Sequence, residues 1–188
     1  MIVIDLPDEA ATASLAARIA GLARPGDVIA LKGELGAGKT SFARAFIRAR
    51  GGGESVPSPT FTLVQMYELD AATIWHFDCY RLRHPDEAWE LAIEDAFAEG
   101  ISLIEWPERL GHLLPRRRLQ IALSAGPTPA AREATIDPGT DWAARLAGLS
   151  PSFPRRPRVI PGSRPGRGPG DTMAPVVLGS RPRGNDAE

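Results

Sequence analysis

The eight residues GELGAGKT, Gly33 to Thr40, are where residue type and spacing first imply chemistry. They fit G-x-x-x-x-G-K-[ST], with a β-rich run before them and an amphipathic run after, the context this pattern requires. Gly33, Gly36 and Gly38 permit backbone dihedrals closed to other residues, so the N–H groups of the loop can point at phosphate oxygens. The N-terminus of the following helix adds partial positive charge at the same spot. Lys39 can reach the β- and γ-phosphates of a nucleoside triphosphate, and the Thr40 hydroxyl can ligate Mg²⁺. The expected nucleotide-binding run is therefore Gly33, Glu34, Leu35, Gly36, Ala37, Gly38, Lys39, Thr40 and Ser41.

A loop of this kind brings a phosphate-bound Mg²⁺ near the carboxyl ends of neighbouring parallel strands, where an acid helps to hold it. Two acids qualify. Glu105, at the end of ISLIE, would be costly to bury without a positive partner, and magnesium is the expected one. Asp78, in IWHFDCY, is the usual residue type for the role, but YRLRHP follows it instead of a clean strand-to-helix step. One acid can hold the metal while the other orients the attacking water, so Lys39, Asp78 and Glu105 form the candidate catalytic set. For Glu105 the competing structural role is an ion pair with an arginine.

The elements around these residues alternate. Ile2 to Leu6 reads as a strand, and Asp8 can cap a helix carrying Leu15, Ile19, Leu22 and Ala23, stopped by Pro25-Gly26. DVIALKG reads as a buried strand. A helix from Thr40 to about Arg50 turns Phe42, Phe46 and Ile47 inward and stops at Gly51 to Gly53. TFTLVQMYEL and ATIWHFDCY are two β-rich segments joined by a turn. A helix from Pro85 places Trp89, Ile93 and Phe97 at one spacing, with Gly100 as C-cap. ISLIEW, RLQIALSA and REATID are further strands. This alternation predicts an α/β fold, a three-layer arrangement with a central parallel sheet flanked by antiparallel strands.

Composition sets the outer bounds. The chain has 188 residues, 43% hydrophobic and 24% charged, which suits one soluble globular domain, assigned to residues 1–150. The segment 151–188 contains eight of the 18 prolines, six glycines and seven arginines against three acids. It reads as a disordered tail of charge +4, a solvated extension in preference to a weak tRNA contact, and the body is left at about −5. An acidic body argues against a large nucleic-acid surface of its own. No apolar run approaches the roughly 20 residues that cross a bilayer. The start MIVIDLPDEAA has no basic region of a secretory signal, and Cys79 is the only cysteine, so a cytoplasmic location is expected.

Rival nucleotide chemistries are narrowed next. The sole asparagine is Asn185, so the N-K-x-D signature of guanine readers is absent. A small-molecule kinase would need an acceptor lid, for which Arg116, Arg117 and Arg118 are the candidates, although a solvated basic turn is the preferred reading. A nucleotide-gated assembly factor, in which binding and not hydrolysis matters, would use the same loop.

GELGAGKTSF, VPSPTFTLVQMY, HFDCYRL and LIEWPERLGHLLP, in this order and spacing, resemble the TsaE (YjeE) family, the ATPase subunit of bacterial tRNA threonylcarbamoyladenosine biosynthesis. The resemblance covers about residues 2 to 140. It implies a P-loop fold and Mg²⁺-dependent ATP hydrolysis coupled to the TsaB–TsaD pair, which modifies adenosine 37 of tRNA; tRNA would be met indirectly, through that complex. It also implies magnesium ligation by Thr40 and Glu105, a switch-like segment at Ser58, Pro59 and Thr60, and an acid role for Asp78. Trp106 and Tyr80 are implied as possible site aromatics, with core packing an equal reading for Trp106 and a packed or ion-paired structural role the preferred one for Tyr80. His76 and Arg81 match as well, as packed or ion-paired residues. Thr12 and Arg132 fall where the family can approach the base or ribose.

Overall fold

Four consecutive buried residues, Val28 to Leu31, make β2 (Val28–Lys32) a strand covered on both faces, as a central parallel strand must be. It pairs in parallel with β5 (Ile101–Glu105) on one side and β6 (Leu119–Ala125) on the other. Beyond β5 lies β4 (Ala72–Asp78), also parallel. Both edges then turn antiparallel: β3 (Val64–Leu69) pairs with β4, β7 (Arg132–Asp137) with β6, and β1 (Ile2–Leu6) with β7. The order is β1-β7-β6-β2-β5-β4-β3, a parallel centre with antiparallel edges as expected. This computed structural model describes residues 1–53 and 55–148. The tail expected over 151–188 lies outside the described residues.

Helices cover both faces of the sheet. α1 (Glu9–Leu22) starts at Asp8, whose Oδ1 accepts from the Ala11 N–H at 2.8 Å, a cap worth ~1 kcal/mol. α2 (Lys39–Ala49) buries Phe42, Phe46 and Ile47 against Leu15 and Ile19 of α1 on one face. Trp142 and Leu146, in a turn after β7 that periodicity does not reveal, complete that layer. The other face is closed by Phe77, Leu82, Ala88, Ile93, Ala96 and Leu110. These come largely from three 3-10 stretches, Cys79–Arg81, Pro85–Leu91 and Pro107–Leu113, and from α3 (Ile93–Glu99).

Two expectations need correction. The single helix from Pro85 through Phe97 is broken at Ala92, which has φ 54°. Pro85–Leu91 winds with a period of three, so Ala88 faces the core and Trp89 is 45% exposed. The strand expected from Thr60 begins only at Val64. Before it the Leu63 N–H donates to Pro59 O at 2.6 Å and Leu63 takes φ 66°, closing a turn. Gly100 is the C-cap of α3 as expected, with φ −107° and not the left-handed form. A Cβ there would stand 2.4 Å from Trp75 Cδ1, so clearance for the indole is what requires glycine. Among the described residues no helix is long and apolar enough to cross a membrane.

Candidate active site

The loop from Gly33 to Gly38 joins β2 to α2, and its glycines take φ 139° at Gly33, 78° at Gly36 and 103° at Gly38. At Gly33 a Cβ would lie 2.3 Å from the carbonyl oxygen of Leu123 in β6, so the loop rests on the backbone of its neighbouring strand. Lys39 is only 4% exposed. Its ammonium donates to Gly33 O at 2.6 Å and Glu34 O at 2.9 Å and sits 3.8 Å from the centre of the Trp106 ring. Burial lowers the Lys39 pKa below the ordinary lysine range, opposed by the negative field of Glu105, Glu108, Asp78 and Glu34. Trp106 faces the lysine from a left-handed backbone, φ 56° and ψ 50°, a conformation that costs a non-glycine residue ~1–3 kcal/mol. Tyr80 packs on its indole, ring centres 4.9 Å apart.

Glu105 ends β5, a strand buried along its whole length. Its Oε2 accepts from the Thr40 hydroxyl at 2.8 Å, and its Oε1 lies 2.9 Å from His76 Nε2. The partner of this buried carboxylate is therefore not an arginine. Asp78 is its direct neighbour, since the parallel register of β4 and β5 sets the two residues side by side. Asp78 Oδ1 accepts from the Tyr80 N–H at 3.1 Å, which caps the short 3-10 turn, and Oδ2 accepts from the Thr60 hydroxyl at 2.8 Å. Ser58 extends the chain at 2.8 Å from Thr60, while Pro59 between them is buried. Phe61, next along, is 82% exposed, with the Arg81 guanidinium 4.6 Å from its ring centre.

Arg132 grips the loop from the side of β7. Its guanidinium donates to Ala37 O at 3.0 Å and Gly36 O at 3.2 Å, and to Pro129 O and Ala131 O at 2.8 and 2.7 Å. It also lines a cavity of about 690 Å³ between Gly33–Ala37 and the β6–β7 connection, within the range of small-molecule sites. Leu35, Leu123, Ser124 and Thr128 share that wall. Thr12 does not: it is buried in the first turn of α1, with its hydroxyl donating to Asp8 O at 3.4 Å. Ser41 is half-buried in α2. In the arginine run, Arg117 pairs with Asp141 beyond β7, while Arg118 donates within the turn to Pro115 O at 2.7 Å.

The sequence model for "Threonylcarbamoyl adenosine biosynthesis protein TsaE" matches residues 6–134, more than half of the chain. The chain belongs to the TsaE family. A TsaE from Rickettsia conorii is 42% identical over 121 residues, covering 64% of this chain and 69% of that protein. The Bacillus subtilis TsaE is 39% identical over 118 residues, 62% of this chain and 72% of the relative. Both bear the name tRNA threonylcarbamoyladenosine biosynthesis protein TsaE. Among solved structures, Bacillus subtilis YdiB superposes with a TM-score of 0.60 at 31% identity, covering 72% of this chain and 83% of that one. The three-layer P-loop fold is thus shared.

In this TsaE-family chain the donors around Thr40 suit a hard divalent cation. A neutral hydroxyl and a carboxylate oxygen already meet at 2.8 Å, the oxygen set magnesium takes together with water and substrate phosphate. Among the described residues no three His, Cys, Asp or Glu side chains cluster as a metal site. Cys79 takes no part: burial and the nearby acids push its thiol pKa up to about 12. Sequence reasoning gave His76 a packed or ion-paired role without naming its partner, Glu105. The signal was available only as two residues of opposite polarity to their strands, His76 in IWHFD and Glu105 in ISLIE.

Proposed function

We propose that this TsaE-family chain binds and hydrolyses Mg–ATP to support the TsaB–TsaD pair in threonylcarbamoylation of tRNA adenosine 37. The observation that carries the reading is the Thr40–Glu105 bond of 2.8 Å beside a phosphate loop whose lysine is buried. Thr40 and Glu105 would hold the magnesium, which would supply positive charge against the β- and γ-phosphate oxygens. Lys39 exchanges its loop carbonyls for phosphate oxygens and stabilises charge that grows on them during transfer. The loop amides keep the phosphate chain in line. The adjoining 690 Å³ cavity, with Arg132 on its wall, receives the nucleoside. Asp78, fixed by the Thr60 hydroxyl and the Tyr80 amide, accepts a proton from the attacking water. Water attacks the γ-phosphorus, the bond to the β-phosphate oxygen breaks, and ADP and phosphate leave.

Coupling to partners follows from the same chain of contacts. Ser58 bonds to Thr60, Thr60 donates to Asp78, and Phe61 extends that segment to the surface. A partner that moves Phe61 therefore moves the residue that holds the acid. Three arginines described near the loop already have partners: Arg132 on loop carbonyls, Arg81 over Phe61, and Arg44 on Val56 O. Slow turnover alone and faster turnover with partners are expected. Reconstitution with TsaB–TsaD, tRNA and ATP tests this, following phosphate release and the number of modifications per complex. Sustained modification without this chain, or acceptor-dependent ADP formation on a metabolite without TsaB–TsaD, would overturn it.

A further inference from the structure

His76 is a titratable side chain beside the site that the reading above leaves without a task. It is fully buried in β4, where an imidazole is costly to desolvate. Its Nε2 lies 2.9 Å from Glu105 Oε1, while its Nδ1 is buried with no hydrogen-bond partner among the described residues. A carboxylate oxygen offers only lone pairs, so this contact is a bond only if Nε2 carries the hydrogen. The β4–β5 register sets His76 opposite Leu103 and Asp78 opposite Glu105. The imidazole therefore reaches one diagonal step across the strands, a distance long side chains span. Thr40 takes the other oxygen of the same carboxylate. Glu105 is thus fastened at both oxygens by groups from two elements.

We propose that His76 is a positioning residue for the cation-binding carboxylate: by holding Oε1 of Glu105 through Nε2–H, it keeps Oε2 turned to the Thr40 oxygen. The role rests on the Mg–ATP reading and deepens it. Outer partners of metal-binding groups fix ligand orientation, and their loss weakens metal affinity about 10–100-fold. A residue that only fills space would leave metal affinity untouched beyond any loss of fold.

The test measures Mn²⁺ binding by electron paramagnetic resonance in the full chain saturated with a non-hydrolysable ATP analogue. Binding of the same analogue in EDTA and thermal unfolding are followed in parallel. His76→Leu is expected to weaken Mn²⁺ binding about 10–100-fold while analogue affinity in EDTA stays unchanged. His76→Gln, whose amide nitrogen can stand where Nε2 stands, is expected to recover most of the affinity. Unchanged Mn²⁺ affinity in His76→Leu overturns the proposal, and so does an equal loss with metal and with EDTA. If His76→Leu does not fold, His76→Gln and His76→Asn decide, because the shorter amide cannot reach Oε1; equal Mn²⁺ affinity in the two overturns it. A parent chain that binds the analogue no better with Mn²⁺ than with EDTA would overturn the magnesium assignment itself, a different result from a metal-responsive parent matched by His76→Leu.

Discussion

Among the described residues two cations sit over tryptophan rings, and their surroundings differ in one respect. Arg145 lies 3.9 Å from the ring centre of Trp142 and pairs with both oxygens of Asp27, at 2.6 and 2.8 Å. It also donates to Leu22 O at 3.0 Å and Asp141 O at 3.3 Å. Lys39 lies 3.8 Å from the ring centre of Trp106, but its hydrogen bonds go to two carbonyls of its own loop. Glu105 and Asp78 colour its field without pairing with it; their oxygens are engaged by Thr40, His76, Thr60 and Tyr80. The pKa directions agree, since the hydrogen bond to Asp27 raises that of Arg145 whereas burial lowers that of Lys39. A latch has its counter-charge built into the chain. A binding group is left matched to a charge from outside.

Exchanging each cation for alanine breaks the comparison most directly. Lys39→Ala is expected to lower ATP turnover on the order of 10²–10³-fold with little loss of unfolding free energy. Arg145→Ala should do the reverse: turnover per folded molecule unchanged, and ~1–3 kcal/mol lost in urea denaturation because Asp27 keeps its charge in a largely covered place. Equal damage to turnover from both would sink the distinction. Glu105→Gln should raise the Mg²⁺ concentration needed for half-maximal hydrolysis on the order of 10–100-fold, with Mg²⁺-free nucleotide binding retained. Smaller still is Thr60→Val, which removes one bond to the Asp78 carboxylate; turnover should fall about tenfold while ATP affinity holds, read from single-turnover kinetics and equilibrium binding.

The pH effect is the mildest and separates the two cations by sign. Because the Lys39 pKa is lowered, its ammonium is lost at a lower pH than in an unfolded chain. Between those two values the unfolded state holds the extra proton, so this group's share of stability grows as pH rises. ATP affinity should decline over the same alkaline window, beginning below 10.5. The raised pKa of Arg145 works the other way, its stabilisation being complete below the unfolded value and lost only above the folded one. Calorimetry and nucleotide titration from neutral to alkaline pH would follow both.

Most of the architecture was legible because β2 and β5 are short, nearly unbroken apolar runs, α2 repeats at helical spacing, and the loop between β2 and α2 carries its own signature. Glu105 was legible for the same reason, as an acid where an apolar strand stops. Sequence alone weighed magnesium against an arginine as its partner and did not reach the Thr40 hydroxyl and His76 contacts, which cross from residues 40 and 76 to residue 105. Trp89 was misread since spacings of four assume an α-helix, and a three-residue winding moves each side chain off that face. Trp142 was invisible because a single turn has no period to detect, although its indole is among the largest fully buried side chains. Arg132 was expected near the base or ribose; its guanidinium holds the loop's own carbonyls while it also borders the cavity.

Gly33 shows that one letter of a nucleotide signature answers to a different master. The oxygen of Leu123 would be 2.3 Å from any methyl placed there, so the side-chain hydrogen is dictated by how closely two neighbouring strands' ends abut. An alanine at 33 would lever the whole cradle off its bed before any ligand arrived. Part of what looks like a fingerprint of substrate is, at this position, masonry of the scaffold.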